Sequence, residues 1–157
     1  METEKMEMGK EKECIGCGEK FFNSVDNECP KCGYGKKEEE ILKQLTGFTG
    51  SENFYKDFLG IVLTDGIKKL CELCGCYWAI TDMGVIIMGR YLNKEDFIVM
   101  KIKVNEDKSC KIVLEDGNYN KLYEQKYDYT DFPLKEYTIW AVFNEVGTYT
   151  FMLPSEY

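Results

Sequence analysis

The sequence predicts an α+β fold: a small four-cysteine module near the N-terminus, then a domain of helices followed by an antiparallel meander of about five strands. Three observations carry this prediction. Two cysteine pairs, each with two residues between its members, fall at Cys14/Cys17 and Cys29/Cys32. Apolar residues recur at helical spacing between residues 41 and 74. From residue 96 onward the apolar period changes to two, and turn residues separate the runs.

Each element follows in order. Residues 1–12, METEKMEMGKEK, alternate acid and base and read as a flexible charged tail. Residues 13–35 hold the cysteine module. Residues 36–46 are a helical joint, with Ile41, Leu42 and Leu45 on one face and Gly47 as the stop. The α+β domain proper spans 47–157. Ser51 is an apt N-cap for a helix over ENFYKDFLG, where Phe54, Tyr55, Phe58 and Leu59 share a face. Thr64 and Asp65 cap GIKKLCELCG, a helix with Ile67, Leu70, Cys71 and Cys74 on one side and Gly75 at its end. CYWAITDMGVIIMGRYL is apolar almost throughout, so periodicity leaves it between a buried helix and a buried strand pair. The strands then follow: DFIVMKIKVN, SCKIVLE, NKLYEQKYDY, EYTIWAVFN and GTYTFML. Asp116-Gly117 joins the second and third as a hairpin turn.

Composition bounds the function classes. The chain has 157 residues, which suits one domain or a metal-stapled module joined to a domain of about 110–120 residues. A hydrophobic content of 44% with 14% aromatic is enough for a packed core. No secretory signal is recognisable, and the longest apolar-or-glycine run, residues 83–89, is too short to span a bilayer. An intracellular, cytoplasmic protein is expected, in which eight cysteines serve as thiols and metal ligands rather than as disulfides. The net charge is −8, and Arg90 is the single arginine. Lys and Arg form no clustered stripe of the kind that displaces nucleic-acid counterions, which speaks against direct nucleic-acid binding. Acidity serves solubility, or suits a protein partner with a basic surface.

The cysteine module carries the clearest chemistry. Two residues between paired cysteines let both sulfurs reach one ion from a single tight turn. The glycines at 18 and 33 allow the backbone to turn back past it. Cys14, Cys17, Cys29 and Cys32 thus supply four thiolates in a tetrahedron, a closed site for one structural Zn2+. Iron satisfies the same ligand set. Phe21 and Phe22 are placed to cover the metal. CIGCG and CPKCG resemble the knuckles of the zinc ribbons, a resemblance that covers about twenty residues and implies metal binding rather than a particular activity. So small a module buries little apolar surface, so metal binding and folding are expected to be one event.

Elsewhere the residues point away from catalysis. Without histidine there is no Ser-His-Asp or Cys-His pair and no imidazole base. No glycine-rich phosphate loop follows a strand. Most aspartates sit at caps and turns. Asp82 interrupts an apolar stretch, and a carboxylate buried there would need Arg90 or Lys68 beside it. No enzyme is expected. Cys71, Cys74 and Cys76 cluster in CELCGC, and with Cys110 they form either a second metal set or packed core thiols; the helical face favours packing. Tyr123, Tyr127 and Tyr129 share a strand face by period two, which is either a partner surface or an aromatic face under the helices.

From about residue 45 the chain resembles an uncharacterised bacterial and phage family, catalogued only as a domain of unknown function. The residues that carry the resemblance are TGFTGSENFYKDFLGIVLTDGIKKL, YW at 77–78, VNEDKS, LEDGN, TDFPL and the final LPSEY. The resemblance implies a short accessory protein of a phage or mobile element and supplies no reaction. Such a setting suggests a non-enzymatic interaction protein that binds and inhibits a nucleic-acid-handling host defence effector, in the manner of an anti-CRISPR protein. Two further classes are a nucleic-acid-binding or transcription-associated ribbon protein, and a small-ligand-binding domain with a pocket near Trp78, Tyr137 and Trp140.

Overall fold

The computed structural model describes residues 11–13, 20–22 and 37–157. The four knuckle cysteines Cys14, Cys17, Cys29 and Cys32 lie outside the described residues. A two-stranded antiparallel ribbon pairs β1 (Glu11–Glu13) with β2 (Lys20–Phe22). β1 takes in Glu11 and Lys12, which the sequence assigns to the tail.

Helix α1 (Glu38–Leu45) buries Ile41 and Leu45 and leaves Leu42 partly exposed. Its first turn is Glu38, Glu39 and Glu40, negative charge at the positive end of the helix dipole. The segment over 52–60 then departs from expectation. It forms no helix; strand β3 (Phe54–Lys56) pairs antiparallel with β4 (Val62–Thr64). The cause is long-range hydrogen bonding. The Ser51 hydroxyl accepts from the Asp65 N–H, and the Asp65 carboxylate accepts from the N–H groups of Glu52 and Asn53. Those two N–H groups belong to the first turn that Ser51 would have capped. Asp57 closes the hairpin by accepting from Leu59 N and Ile61 N.

α2 (Asp65–Cys74) follows the sequence closely. The Thr64 side chain accepts from Ile67 N, and Gly75 at φ 61° takes the left-handed conformation that ends the helix. The ambiguous apolar stretch is helical: α3 (Tyr77–Ile86) runs on into a π turn over Ile87–Tyr91.

All five predicted strands form: β5 (Phe97–Val104), β6 (Cys110–Asp116), β7 (Lys121–Tyr127), β8 (Glu136–Phe143) and β9 (Tyr149–Met152). They do not make a simple meander. The sheet has seven strands in the order β3-β4-β9-β8-β5-β6-β7. β5, β6 and β7 pair in succession, but β8 returns to the free side of β5, and β9 lies parallel to β4. Period two marks a strand and its buried face; it says nothing of its partner. The return path matters to the core, because it buries Phe132 and Leu134.

The core lies on one face of the sheet. Leu63, Ile98, Met100, Ile102, Ile112, Leu114, Ile139, Ala141, Tyr149 and Phe151 are buried there with Ile67, Leu70, Ile80 and Met83 of the helices. Tyr149 is wholly buried, and its hydroxyl reaches the carbonyls of Tyr91 and Glu95, which ties β9 to the end of the π turn. Tyr149→Phe leaves both carbonyls without that donor and is expected to cost about 1–2 kcal/mol in urea unfolding.

Candidate functional site

Alternation along the strands puts a second set of residues on the opposite face. Val99 stands across from Trp140, Phe97 from Val142, and Trp140 from Met152. Among the described residues α1 borders this outer face at one end, where Glu38 and Leu42 share a hollow with Lys103 and Glu136. Phe97, Trp140 and the C-terminal Tyr157 form an edge-to-face cluster on this face, with centroids 4.9, 5.4 and 6.0 Å apart. Tyr157 is 75% exposed. Beside the aromatics runs a row of lysines, Lys103, Lys111 and Lys126, directly opposite one another on β5, β6 and β7. Elsewhere the face pairs its charges, as Lys101 does with Glu115 at 3.0 Å. Phe97 and Trp140 are half-buried beneath the exposed Tyr157, and a sheet face with clustered aromatics is the kind of surface that partner molecules use.

A second polar cluster surrounds the start of α2. Besides the Ser51 and backbone contacts above, Asp65 accepts from the Tyr55 hydroxyl at 2.9 Å. From the other end of the chain, the Glu156 carboxylate accepts from the Thr64 hydroxyl, Gly66 N and Leu153 N. Segments 51–57, 64–66 and 153–156 therefore meet at one point. Every polar group named there already has a partner within the chain, so the cluster is architecture rather than an open site. Asp65 is held below the ordinary carboxylate range, chiefly by Asn53 N–H and then by the Tyr55 hydroxyl and Glu52 N–H. A carboxylate depressed on folding stabilises above its unfolded value, and that contribution is lost as pH falls through the folded one. Asp65→Asn is therefore expected to narrow its stability gap to the parent chain as urea midpoints are taken below pH ~4.

With these clusters in view, the comparisons are informative. Residues 39–157 match a family of unknown function, DUF6876. The chain belongs to the DUF6876 family. The match starts inside α1 and runs to the last residue, so it takes in the whole seven-stranded sheet and all of the clustered segments. The four-cysteine module precedes the matched range. No curated protein and no solved structure matches the chain.

Within the DUF6876 domain, Cys71, Cys74, Cys76 and Cys110 are all free and buried. Cys71 and Cys74 pack beside Ile67 and Leu70, and the Cys76 sulfur lies 3.8 Å from that of Cys71. Among the described residues, no group of three or more Cys, Asp or Glu side chains could hold a metal ion. Burial pushes the Cys74 and Cys110 thiols up, and the Cys76 contact together with burial does the same for Cys71. Maleimide labelling mapped by mass spectrometry should leave all four unmodified in the native domain and modify them in urea. Rapid native labelling of Cys110 would contradict this placement.

The tyrosines divide. Tyr123 and Tyr127 lie under the helices: Arg90 sits 5.1 Å over the Tyr123 ring, and Tyr127 packs edge-on against Trp78. Tyr129 lies beyond the end of β7 and is 69% exposed. Asp82 is exposed rather than buried and accepts from the Tyr127 hydroxyl at 2.9 Å. Lys68 instead stands near Glu72 and over the Tyr55 ring. Trp78 and Tyr137 face the core while Trp140 faces outward, so the three do not line one pocket. The outer-face residues escaped sequence reasoning because their common signal is register. Each lysine sits at an alternate position in its own strand, and only the pairing brings the three into line.

Proposed function

We propose that this protein is a non-catalytic binding protein whose contact surface is the outer face of the DUF6876 sheet. The observation that carries the reading is the Phe97, Trp140 and Tyr157 cluster on the sheet face opposite the buried core. Aromatic side chains held by a rigid sheet offer large contact area at little entropic cost. In this reading the N-terminal module holds one structural zinc through Cys14, Cys17, Cys29 and Cys32. It is an appendage that folds with its metal.

The acidic chain and the resemblance to phage and mobile-element proteins support a more specific form. The protein would bind and inhibit a nucleic-acid-handling host defence effector, the outer face making the contact and the net acidity of the chain favouring encounter with a basic partner. Affinity capture from the native host, parent chain against Trp140→Ser, tests the contact surface. Loss of the same partner from the variant is expected, and unchanged capture would overturn the assignment. Metal analysis tests the appendage: one zinc per chain is expected, falling to none when Cys14 and Cys29 are both replaced by serine, with the sheet domain still folded.

A further inference from the structure

We propose that the outer face takes single-stranded nucleic acid, with phosphates on the row Lys103, Lys111 and Lys126 and bases against Trp140 and Phe97. This rests on the reading of that face as the contact surface, and it makes the nucleic acid that such an effector handles, rather than the effector's own surface, what the face meets.

Three lysines opposite one another on adjacent strands lie within ~10 Å, since strands are spaced about 4.8 Å apart. Like charges directly opposite destabilise a sheet. Compensation from within the domain is partial: Lys111 and Lys126 both draw on Glu124, and Glu38, Glu106 and Glu136 line a hollow beside Lys103 without pairing with it. Among the described residues no carboxylate lies within ion-pair distance of Lys103 or Lys111. Lys126 has Glu124 at 3.9 Å. By register, Glu136 on β8 flanks Lys103 on the other side. The row borders a hollow of about 380 Å3, completed by Asn105, Ser109, Cys110, Tyr127 and Asp128. Asp128 is the single carboxylate in that lining, against three ammonium groups. An external anion relieves the repulsion and gains three charge-assisted contacts.

The aromatics select among anions. Val99, opposite Trp140, precedes Lys103 by four residues on β5, which is ~13 Å along the strand. A short extended oligonucleotide bridges that distance. A positive track beside aromatic side chains is the arrangement that holds a strand by its backbone and its bases together. The bases must be unpaired to reach the rings. A duplex brings a denser array of phosphates to a chain of net charge −8, so three lysines offset a single strand better. An acidic polypeptide satisfies the lysines and leaves the rings without a stacking partner.

The test uses the full chain and a labelled, mixed-sequence single strand of about twelve nucleotides, as DNA and as RNA, read by anisotropy. Binding is expected at about 50 mM salt, and log K should fall against log salt with a slope of about −2, from three contacts at ~0.7 each. Lys111→Gln should weaken binding roughly tenfold at that salt, and the triple Lys→Gln variant should abolish it. Removing opposed like charges should leave the melting temperature of the triple variant unchanged or raised, so loss of binding is not loss of fold. In a Trp78→Phe background Trp140 is the sole tryptophan, and its emission should be quenched by the strand. The proposal is overturned by an absence of binding at low salt, by equal binding of the triple variant, or by equal competition from polyglutamate. If Trp140→Ser loses a captured host protein while the parent chain binds no strand, the contact surface stands and this inference alone falls.

Discussion

Gly66→Ala is expected to destabilise the protein by about 3 kcal/mol. A Cβ on Gly66 would lie 2.4 Å from Glu156 Oε1 and 2.7 Å from Leu153 Cδ1. The atoms in its way are the ends of two side chains, so Glu156 and Leu153 must shift to admit it. If the Glu156 carboxylate withdraws, Gly66 N, Leu153 N and the buried Thr64 hydroxyl lose their acceptor together, at 3.0, 2.9 and 2.6 Å in the intact chain. Glu156→Ala removes the same acceptor directly and should cost a similar ~3 kcal/mol, since hydrogen bonds to a charged group contribute about 1.5–3 kcal/mol each and this one is partly exposed. The negative end of Glu156 also faces the N-terminus of α2, where the helix dipole favours it. The two substitutions break one contact, so the double variant should cost about as much as either single rather than their sum. Urea midpoints at constant slope measure this. Full additivity would show that the glycine is required for some other reason.

This same contact shows what a linear reading can reach. Residues 64–75 were legible because everything that defines α2 is local: a threonine cap, an i, i+3, i+4 apolar face and a glycine stop. The five strands from residue 97 onward were legible for the same reason. Residues 52–60 were not. Ser51 has the features of a helix cap, and only Asp65, on the far side of a hairpin, removes the N–H groups that it would have served. The topology was hidden likewise. Nothing local tells β8 to pair with β5 instead of β7, or β4 to lie along β9; those choices are made by where the buried faces can meet.

The candidate surface was half legible. Valine, lysine and tryptophan at alternate positions announce an outward-facing set on each strand, and the absence of histidine narrows the chemistry from composition alone. Tyr123 and Tyr127 drew attention by shared periodicity, yet that shared face is the one α3 covers. The lysine row carries no local signal. Lys103, Lys111 and Lys126 become neighbours through two registers, Lys103 with Lys111 and Lys111 with Lys126. A slip of one residue in either would send one lysine toward the core and dissolve the row.

Phe151→Ala should remove about 3–5 kcal/mol, a large share of the roughly 5–15 kcal/mol that holds a domain of this size together. Trp140→Ser should remove only about 1–2 kcal/mol and yet lose the partner. The contrast follows from one β8–β9 register. Phe151 stands opposite Ala141, both wholly buried, on the face shared with the helices. Trp140 stands opposite Met152, one step along, on the other face. Truncating Phe151 leaves a void beside a residue too small to fill it, and a packed sheet relaxes only in part. Truncating Trp140 forfeits two ring contacts, with Phe97 and Tyr157, at a surface where water replaces the ring. Stability and binding should thus separate by strand parity: inner-face variants lose much of their urea midpoint, and outer-face variants shift it far less while failing in capture or anisotropy. If Trp140→Ser unfolds as readily as Phe151→Ala, the outer face is packed against some part of the protein, and it cannot at the same time be the surface that meets a partner.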